Sequence, residues 1–226
     1  MGIGFLFFPE LCPVCDRLLV GGERHICLEC LADLPYSFYW SWRDNPAEGL
    51  LREVLFVDAA TSLLLYRSES KWKKPIHNFK YYGDKSLGRY LSALLGKRLY
   101  ESGWCDRVDY IIPVPLHKLR EWKRGFNQAS IIALELGNFL NKPVLCNAMV
   151  RNRYTFTQTK KDREHRRRGV KGAFRVKDRY KSVVEGKRIL LVDDVLTTGA
   201  TLESCGNELY KAGCSSLSIA TLAFVE

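Results

Sequence analysis

The hydrophobic and polar positions of this chain follow two alternating patterns. Short apolar runs rich in β-branched residues predict strands, and apolar positions three or four residues apart predict helices. The predicted strands are 57–66, 108–115, 143–146, 173–176, 189–192 and 216–225. The predicted helices are 70–82, 85–100, 126–140 and 202–211. Because strands and helices alternate, the pattern indicates an α/β fold with a mainly parallel sheet flanked by helices.

Two carboxylates and a hydroxyl-rich loop follow the apolar run at 189–192. Asp193 and Asp194 fall at its predicted carboxyl end, which is where ligands bind in open parallel sheets. The loop that leads into the next predicted helix consists, after Val195, of Leu196, Thr197, Thr198, Gly199, Ala200 and Thr201. Amides at a helix start attract phosphate, whereas carboxylates accept hydrogen bonds from sugar hydroxyls. We therefore predict a ribose 5-phosphate site here; an ordinary strand ending in a solvated Asp-Asp turn and a capped helix is the alternative.

The eight cysteines divide into four scattered residues and two Cys-x-x-Cys pairs. The paired residues are Cys12, Cys15, Cys27 and Cys30. Two such pairs are typical of a tetrahedral zinc site, and metal binding would supply much of the folding free energy of so short a segment. Disulfide bonds are the alternative. We predict three regions: a four-cysteine, zinc-ribbon-like segment at 1–35, a connector at 36–49 and the main domain at 50–226.

Charge and hydropathy bear on partners and location. Residues 151–188 carry a local charge of +11, against +10 for the whole chain. Such a segment favours a polyanionic partner, although a solvated loop has the same composition. No apolar stretch reaches the roughly 18 residues that a membrane span needs, and no secretory signal is evident. We therefore expect a cytoplasmic protein with no membrane span.

Several motifs occur in an order that resembles a known family. They are the two cysteine pairs, Lys80-Tyr81-Tyr82-Gly83, Pro113-Val114-Pro115-Leu116, Arg120, Arg124-Gly125-Phe126-Asn127-Gln128-Ala129, Arg153-x-Thr155-x-Thr157-Gln158, Arg166-Arg167, Gly172-Ala173-Phe174 and the Asp-Asp segment. This pattern resembles the ComF family, bacterial proteins with a zinc-binding segment before a type I phosphoribosyltransferase-like domain. The Asp-Asp segment itself resembles the 5-phosphoribosyl-1-pyrophosphate (PRPP) motif of type I phosphoribosyltransferases.

The resemblance implies a ligand and a set of site residues. Asp193 and Asp194 match the ribose-binding acids, and 196–201 matches the 5-phosphate loop. The acids are also candidate catalytic residues, because positive charge develops on the ribose as pyrophosphate leaves. Candidates for pyrophosphate contacts and for a covering loop are Pro115, Leu116, His117, Lys118, Arg120, Arg124, Arg153, Thr155, Gln158, Arg166, Arg167 and Arg168. Mg²⁺ would accompany PRPP, and Zn²⁺ would be structural.

The family resemblance also implies a biological role. Members support the uptake or inward movement of single-stranded DNA in natural competence, beside a helicase-like ATPase. A homo-oligomer is expected by analogy with other phosphoribosyltransferases. Two alternatives remain: an active phosphoribosyltransferase that uses a nucleobase or an amine as acceptor, and a zinc-containing module that binds single-stranded nucleic acid. The sequence indicates no acceptor site.

Overall fold

The computed structural model describes residues 10–67, 69–152 and 172–226. Their strands are β1 (Ala59–Tyr66), β2 (Tyr110–Pro113), β3 (Met149–Arg151), β4 (Phe174–Val176), β5 (Arg188–Leu196) and β6 (Ser216–Val225). The helices are α1 (Leu28–Ala32), α2 (Pro46–Arg52), α3 (Lys73–His77), α4 (Lys85–Glu101), α5 (Lys118–Arg124), α6 (Gln128–Leu140), α7 (Asp178–Val184) and α8 (Ala200–Lys211). A π-helical turn (Asn78–Tyr82) follows α3, and a 3-10 turn (Trp104–Arg107) precedes β2.

The main sheet is parallel throughout and has the order β1-β6-β5-β2. Leucines of α4 and α6 pack with Leu190 and Val192 on one face of β5. Residues of α2 and α8 pack with Ile189 and Leu191 on the other face. The apolar run of β5 is therefore buried from both sides, as expected for a central parallel strand. The predicted α/β architecture, a parallel sheet flanked by helices, is confirmed.

Two predicted strands do not belong to this sheet. The segment 143–146 makes a single parallel bridge, between Val144 and Ile111, because it runs past the edge strand only briefly and its prolyl nitrogen at Pro143 has no hydrogen to donate. The segment at 173–176 forms β4, which pairs antiparallel with β3 in a separate two-stranded sheet. The sequence pattern contains no information on which strand each segment meets.

Two further boundaries differ from prediction. The helix predicted at 70–82 is shorter and widens into the π-helical turn, which ends at Gly83 with a φ of +73°. Strand β5 does not end before Asp193 but continues to Leu196, because the long strand β6 offers partners as far as Phe224. The two acids therefore lie within the carboxyl-terminal half of the strand, not beyond its end.

The cysteine-rich segment packs against the main domain. Cys12, Leu19 and Ile26 share one hydrophobic core with Leu87 and Leu91 of α4. Ion pairs from Lys74 to Asp16 and from Lys71 to Asp33 hold the segment to the region before the π-helical turn. Among the described residues, none of the helices has the length and hydropathy that crossing a membrane requires. The division at residues 35 and 49 remains a prediction.

Candidate functional site

The two acids of β5 occupy different environments. Asp194 is buried, with 8% of its surface exposed, and Asp193 is partly buried. The backbone N–H of Asp194 donates to Oδ1 of Asp193 at 2.8 Å. This bond fixes one carboxylate oxygen of Asp193 against the strand and leaves its second oxygen available for a ligand hydroxyl.

A lysine from another segment balances the acids. Lys80 Nζ lies 2.9 Å from Oδ2 of Asp194. The π-helical turn buries the neighbouring Phe79 completely, and this anchor places Lys80 over the sheet edge. Buried carboxylates need such a partner, because an uncompensated charge in the interior is costly.

Burial and charge set the protonation of this cluster. Burial raises the pKa of Asp193 to about 7, and the charge of Asp194 adds to the effect against the opposing influence of Lys80. Burial disfavours the charge of Lys80, but Asp194 outweighs it and raises the lysine pKa. Burial, followed by the charge of Asp194, raises the pKa of Tyr66 to about 12. The pKa of Asp193 therefore lies near neutral pH.

The segment after β5 forms a small concave surface. Gly199, with a φ of +73°, precedes α8, and no side chain caps the helix amides there. A pocket of about 40 Å³ lies between Asp193 and residues 195–202. That volume is slightly larger than the share of one water molecule in the liquid, about 30 Å³. Predicted residues Leu196, Thr197, Thr198, Gly199, Ala200 and Thr201 all line it.

The residues predicted to hold pyrophosphate follow β2. Pro115 and Leu116 lie in the loop, and His117 caps α5 by accepting the N–H of Leu119 at Nδ1, 3.3 Å away. Lys118, Arg120 and Arg124 lie on α5, which buries none of its residues. Of this group Pro115 is buried, Lys118 is exposed, and the other members are partly exposed.

The two arginines of α5 have different surroundings. Arg124 bonds to Oε1 of Gln128 at 3.2 Å and stacks on the ring of Tyr81, so it holds two segments of the protein together. Arg120 lies near Arg151. Burial, followed by the charge of Arg120, lowers the pKa of Arg151, and the charge of Asp193 acts in the opposite direction.

Part of the prediction cannot be located. Residues Arg153, Thr155, Gln158, Arg166, Arg167 and Arg168 lie outside the described residues. Their role as a covering loop remains a prediction.

Sequence reasoning missed three residues of this region. Lys80 and Gln128 were noted only as parts of motifs, yet Gln128 is buried and its Nε2 donates to the backbone carbonyl of Lys80 at 3.1 Å. Arg151 is predicted only as the first residue of the covering loop 151–170 and as one charge of the basic segment. A buried pair of acids needs a cation nearby, and this requirement could have indicated a lysine at the site. The spacing along the chain does not show which of the many lysines it is.

The four predicted metal ligands come together. The Sγ atoms of Cys12, Cys15, Cys27 and Cys30 all lie within 4.8 Å of one another. Cys15 and Cys27 Sγ are 3.6 Å apart, far beyond a disulfide bond of about 2.05 Å and close to an edge of a tetrahedron with Zn–S bonds of about 2.3 Å. The cysteines are free, so the disulfide interpretation is wrong for this structure. The residues fit one tetrahedral metal ion such as zinc.

Neighbouring groups support this thiol cluster. The N–H of Cys27 donates to Cys12 Sγ at 3.5 Å, and that of Cys30 donates to Cys27 Sγ at 3.4 Å. Burial favours the neutral thiol of Cys27, but the Cys30 backbone and the other thiols lower its pKa to about 7. His25 lies outside the cluster, with its ring 5.3 Å from that of Tyr90. The donor set is therefore four sulfurs.

This chain matches one domain family and is similar to several bacterial proteins. The Phosphoribosyl transferase domain family matches residues 123–225. Competence protein F of Haemophilus influenzae is 36% identical over 142 residues, which are 62% of this chain and 60% of that protein. DNA utilization protein YhgH of Escherichia coli O157:H7 is 30% identical over 214 residues, covering 92% of this chain and 88% of the relative. Competence protein ComFC of Bacillus subtilis is 29% identical over 222 residues, covering 96% of this chain and 86% of that protein.

Solved structures show more distant likeness. The glutamine PRPP amidotransferase from B. subtilis, complexed with ADP and GMP, aligns with a TM-score of 0.44 and 20% identity over 65% of this chain and 30% of that chain. A purine phosphoribosyltransferase from Pyrococcus horikoshii aligns with a TM-score of 0.37 and 24% identity over 63% and 75%.

Proposed function

Because this chain belongs to the ComF family of phosphoribosyltransferase-like proteins, we propose that it binds PRPP with Mg²⁺ and supports the inward movement of single-stranded DNA in natural competence. One observation carries the ligand assignment. Of the two adjacent acids, Asp194 pairs with Lys80, and Asp193 lines the small pocket before α8.

Each part of PRPP has a counterpart in this arrangement. The second carboxylate oxygen of Asp193 accepts a hydrogen bond from a ribose hydroxyl, and the pocket at 197–199 takes the 5-phosphate against the helix amides. Arg120 and Arg151 supply positive charge for the pyrophosphate. Mg²⁺ needs few protein ligands, because it bridges phosphate and sugar oxygens and retains water. Zinc at the four cysteines would hold the amino-terminal segment in its fold.

A second function, phosphoribosyl transfer to a nucleobase or amine, is favoured by one specific observation. The raised pKa of Asp193, about 7, suits a group that takes a proton from an acceptor at neutral pH. Release of pyrophosphate from PRPP in the presence of nucleobases or amines tests it. Release that requires an acceptor and yields the ribosylated acceptor would establish transfer, whereas absent release across an acceptor panel would leave PRPP as a bound ligand only.

Exposed aromatic and basic residues near this edge support single-stranded DNA as a partner. Trp122 and Tyr82 are 86% and 78% exposed, and Lys118 and Lys123 lie on the same helix as Trp122. Aromatic rings stack on bases and cations follow the backbone in proteins that bind single strands. The proposal of a helicase-like ATPase as a partner rests on the family resemblance. The proposal of a cytoplasmic location rests on the free thiols of the cysteine cluster.

The PRPP assignment is tested by calorimetry on the zinc-loaded protein with Mg²⁺. Asp193→Asn combined with Asp194→Asn is expected to abolish PRPP binding, while Asp178→Asn, an exposed acid on α7, is expected to leave it unchanged. Circular dichroism checks that the double variant is folded. Undiminished affinity in a folded double variant would overturn the assignment.

The DNA assignment needs a separate measurement. Trp122→Ala with Lys123→Ala is expected to weaken binding of a fluorescent single strand and to reduce its salt dependence, because stacking and phosphate contacts are both lost. Lys97→Ala, which removes an exposed lysine of α4, is the matched control. If wild type, the double variant and Lys97→Ala bind the strand with equal affinities and salt slopes, this surface does not contact DNA.

A further inference from the structure

A second cavity opens at the opposite end of the sheet. It has a volume of about 340 Å³ and lies where β1 begins, between the connector and the 3-10 turn before β2. Its lining includes Tyr39, Trp40, Trp42, Arg43, Trp104 and Arg107. The register of the parallel strands places Asp193 of β5 level with Ser62 of β1, three residues after Ala59. The two sites are therefore separated by about 10 Å along the strands, at about 3.3 Å per residue, and by two strand spacings of about 4.8 Å across the sheet.

The cavity concentrates aromatic surface. Three of the five tryptophans in the chain line it. Trp104 is buried and its Nε1 donates to the carbonyl of Trp40 at 3.1 Å, so these two form a fixed base. Trp42 remains 48% exposed and meets Tyr39 edge-on at 5.6 Å. An exposed indole beside a cavity offers a flat surface on which a planar ring stacks.

The cavity lining contains two arginines and two glutamates. Within the described ranges, neither Arg43 nor Arg107 takes part in an ion pair. The acids of the lining are already paired: Glu48 with Arg52 at 3.0 Å, and Glu101 with Arg98 at 3.2 Å. Two guanidinium groups are therefore left to face an anion.

The aromatic wall is held in place before any ligand binds. Buried Asn45 donates from Nδ2 to the carbonyls of Tyr39, Trp42 and Ala60 at 3.0 to 3.3 Å. The wall begins after Phe38, which has a φ of +60°, a conformation that bulky residues rarely adopt. A segment held in strained geometry by several hydrogen bonds is pre-organised, which lowers the entropy cost of binding.

We propose that this cavity binds a nucleotide, with the base against Trp42 and the phosphate between Arg43 and Arg107. Its volume lies at the lower end of the roughly 300–1,000 Å³ typical of small-molecule sites, so it suits one nucleotide. The nucleotide is either a free mononucleotide or one unit of a single strand. This site is separate from the proposed PRPP site and does not depend on it.

The test measures binding of AMP, a short oligo(dA) and inorganic phosphate to the zinc-loaded protein by calorimetry. Trp42→Ala, and separately Arg43→Ala with Arg107→Ala, are expected to weaken AMP or oligo(dA) binding about tenfold or more, since a stacked base contributes roughly 1–3 kcal/mol. Trp42→Phe retains most of the affinity because the ring remains. Phe56→Ala, which removes an exposed aromatic ring outside the cavity lining, is the matched control. Binding of AMP identifies a free nucleotide, and binding of oligo(dA) alone identifies a strand.

The remaining outcomes separate this site from the first one. The double variant Asp193→Asn with Asp194→Asn is expected to keep the binding, and the Trp42 variants are expected to keep PRPP binding. If Trp42→Ala fails to fold, the surface arginine variant decides. Unchanged affinity in that variant, inorganic phosphate that binds as tightly as AMP, or loss of AMP binding only in the Asp variant would overturn the proposal.

Discussion

Lys80 Nζ contacts Oδ2 of Asp194 at 2.9 Å, which links two segments that are more than a hundred residues apart in the chain. The lysine sits on a π-helical turn whose preceding residues form ion pairs with the cysteine-rich segment. The acid sits on the central strand of the sheet. The contact therefore ties the amino-terminal half of the protein to the candidate PRPP site.

Removing the lysine is expected to destabilise the protein. Lys80→Met leaves Asp194 buried without its cation, and we expect the free energy of unfolding to fall by about 2–4 kcal/mol at about pH 8. The loss should be smaller at about pH 5, where the acid pair binds a proton more readily. Urea denaturation at both pH values measures it. Lys97→Met removes an exposed pair and should cost under about 0.5 kcal/mol; a similar small loss in Lys80→Met would contradict the structural role.

The pH dependence of stability should report on Asp193. Its pKa in the folded protein, about 7, is above the value of about 3.9 in an unfolded chain. The folded state thus binds the proton more tightly, and the stability from this group is complete below about pH 4 and is lost as the pH rises through 7. We expect the free energy of unfolding of Asp193→Asn to exceed that of wild type by about 1–3 kcal/mol at about pH 8. The difference should disappear near pH 4. Thermal unfolding across this range measures it, and parallel curves would refute it.

The loop before α8 should tolerate no side chain at its glycine. A Cβ at Gly199 would meet Leu51 at 3.1 Å, and the φ of +73° disfavours any L residue. We expect Gly199→Ala to cost about 1–3 kcal/mol and to weaken PRPP binding, because the pocket for the 5-phosphate changes shape. Gly186→Ala has a similar φ of +68° but open space around it, so it isolates the backbone strain. If Gly199→Ala and Gly186→Ala differ in stability but bind PRPP with equal affinity, the loop before α8 does not contact the ligand.

The cysteine cluster should hold one metal ion per chain. Cys27→Ser removes a central ligand, and we expect loss of bound zinc together with unfolding of the amino-terminal segment. Metal analysis and proteolysis measure the two effects. Cys146→Ser, outside the cluster, should change neither. Wild-type protein that stays folded and metal-free after chelation would count against a structural metal.

Much of the fold and part of the candidate site followed from the chain alone. The apolar run before Asp193 indicated a strand buried on both faces, because such burial requires apolar residues at every position. The spacing of the cysteine pairs indicated four thiols around one centre. These features are local, and the physical chemistry of a short segment is sufficient to define them.

Tertiary structure alone decided which segments meet. The pairing of Lys80 with Asp194 depends on how the π-helical turn packs over the sheet, and the length of β5 depends on the partner strand β6. The cavity of Trp42 and Arg107 joins segments some sixty residues apart. Long-range contacts of this kind are set by the packing of the whole core, so residue type and spacing determined the candidate groups, whereas the fold determined their partners.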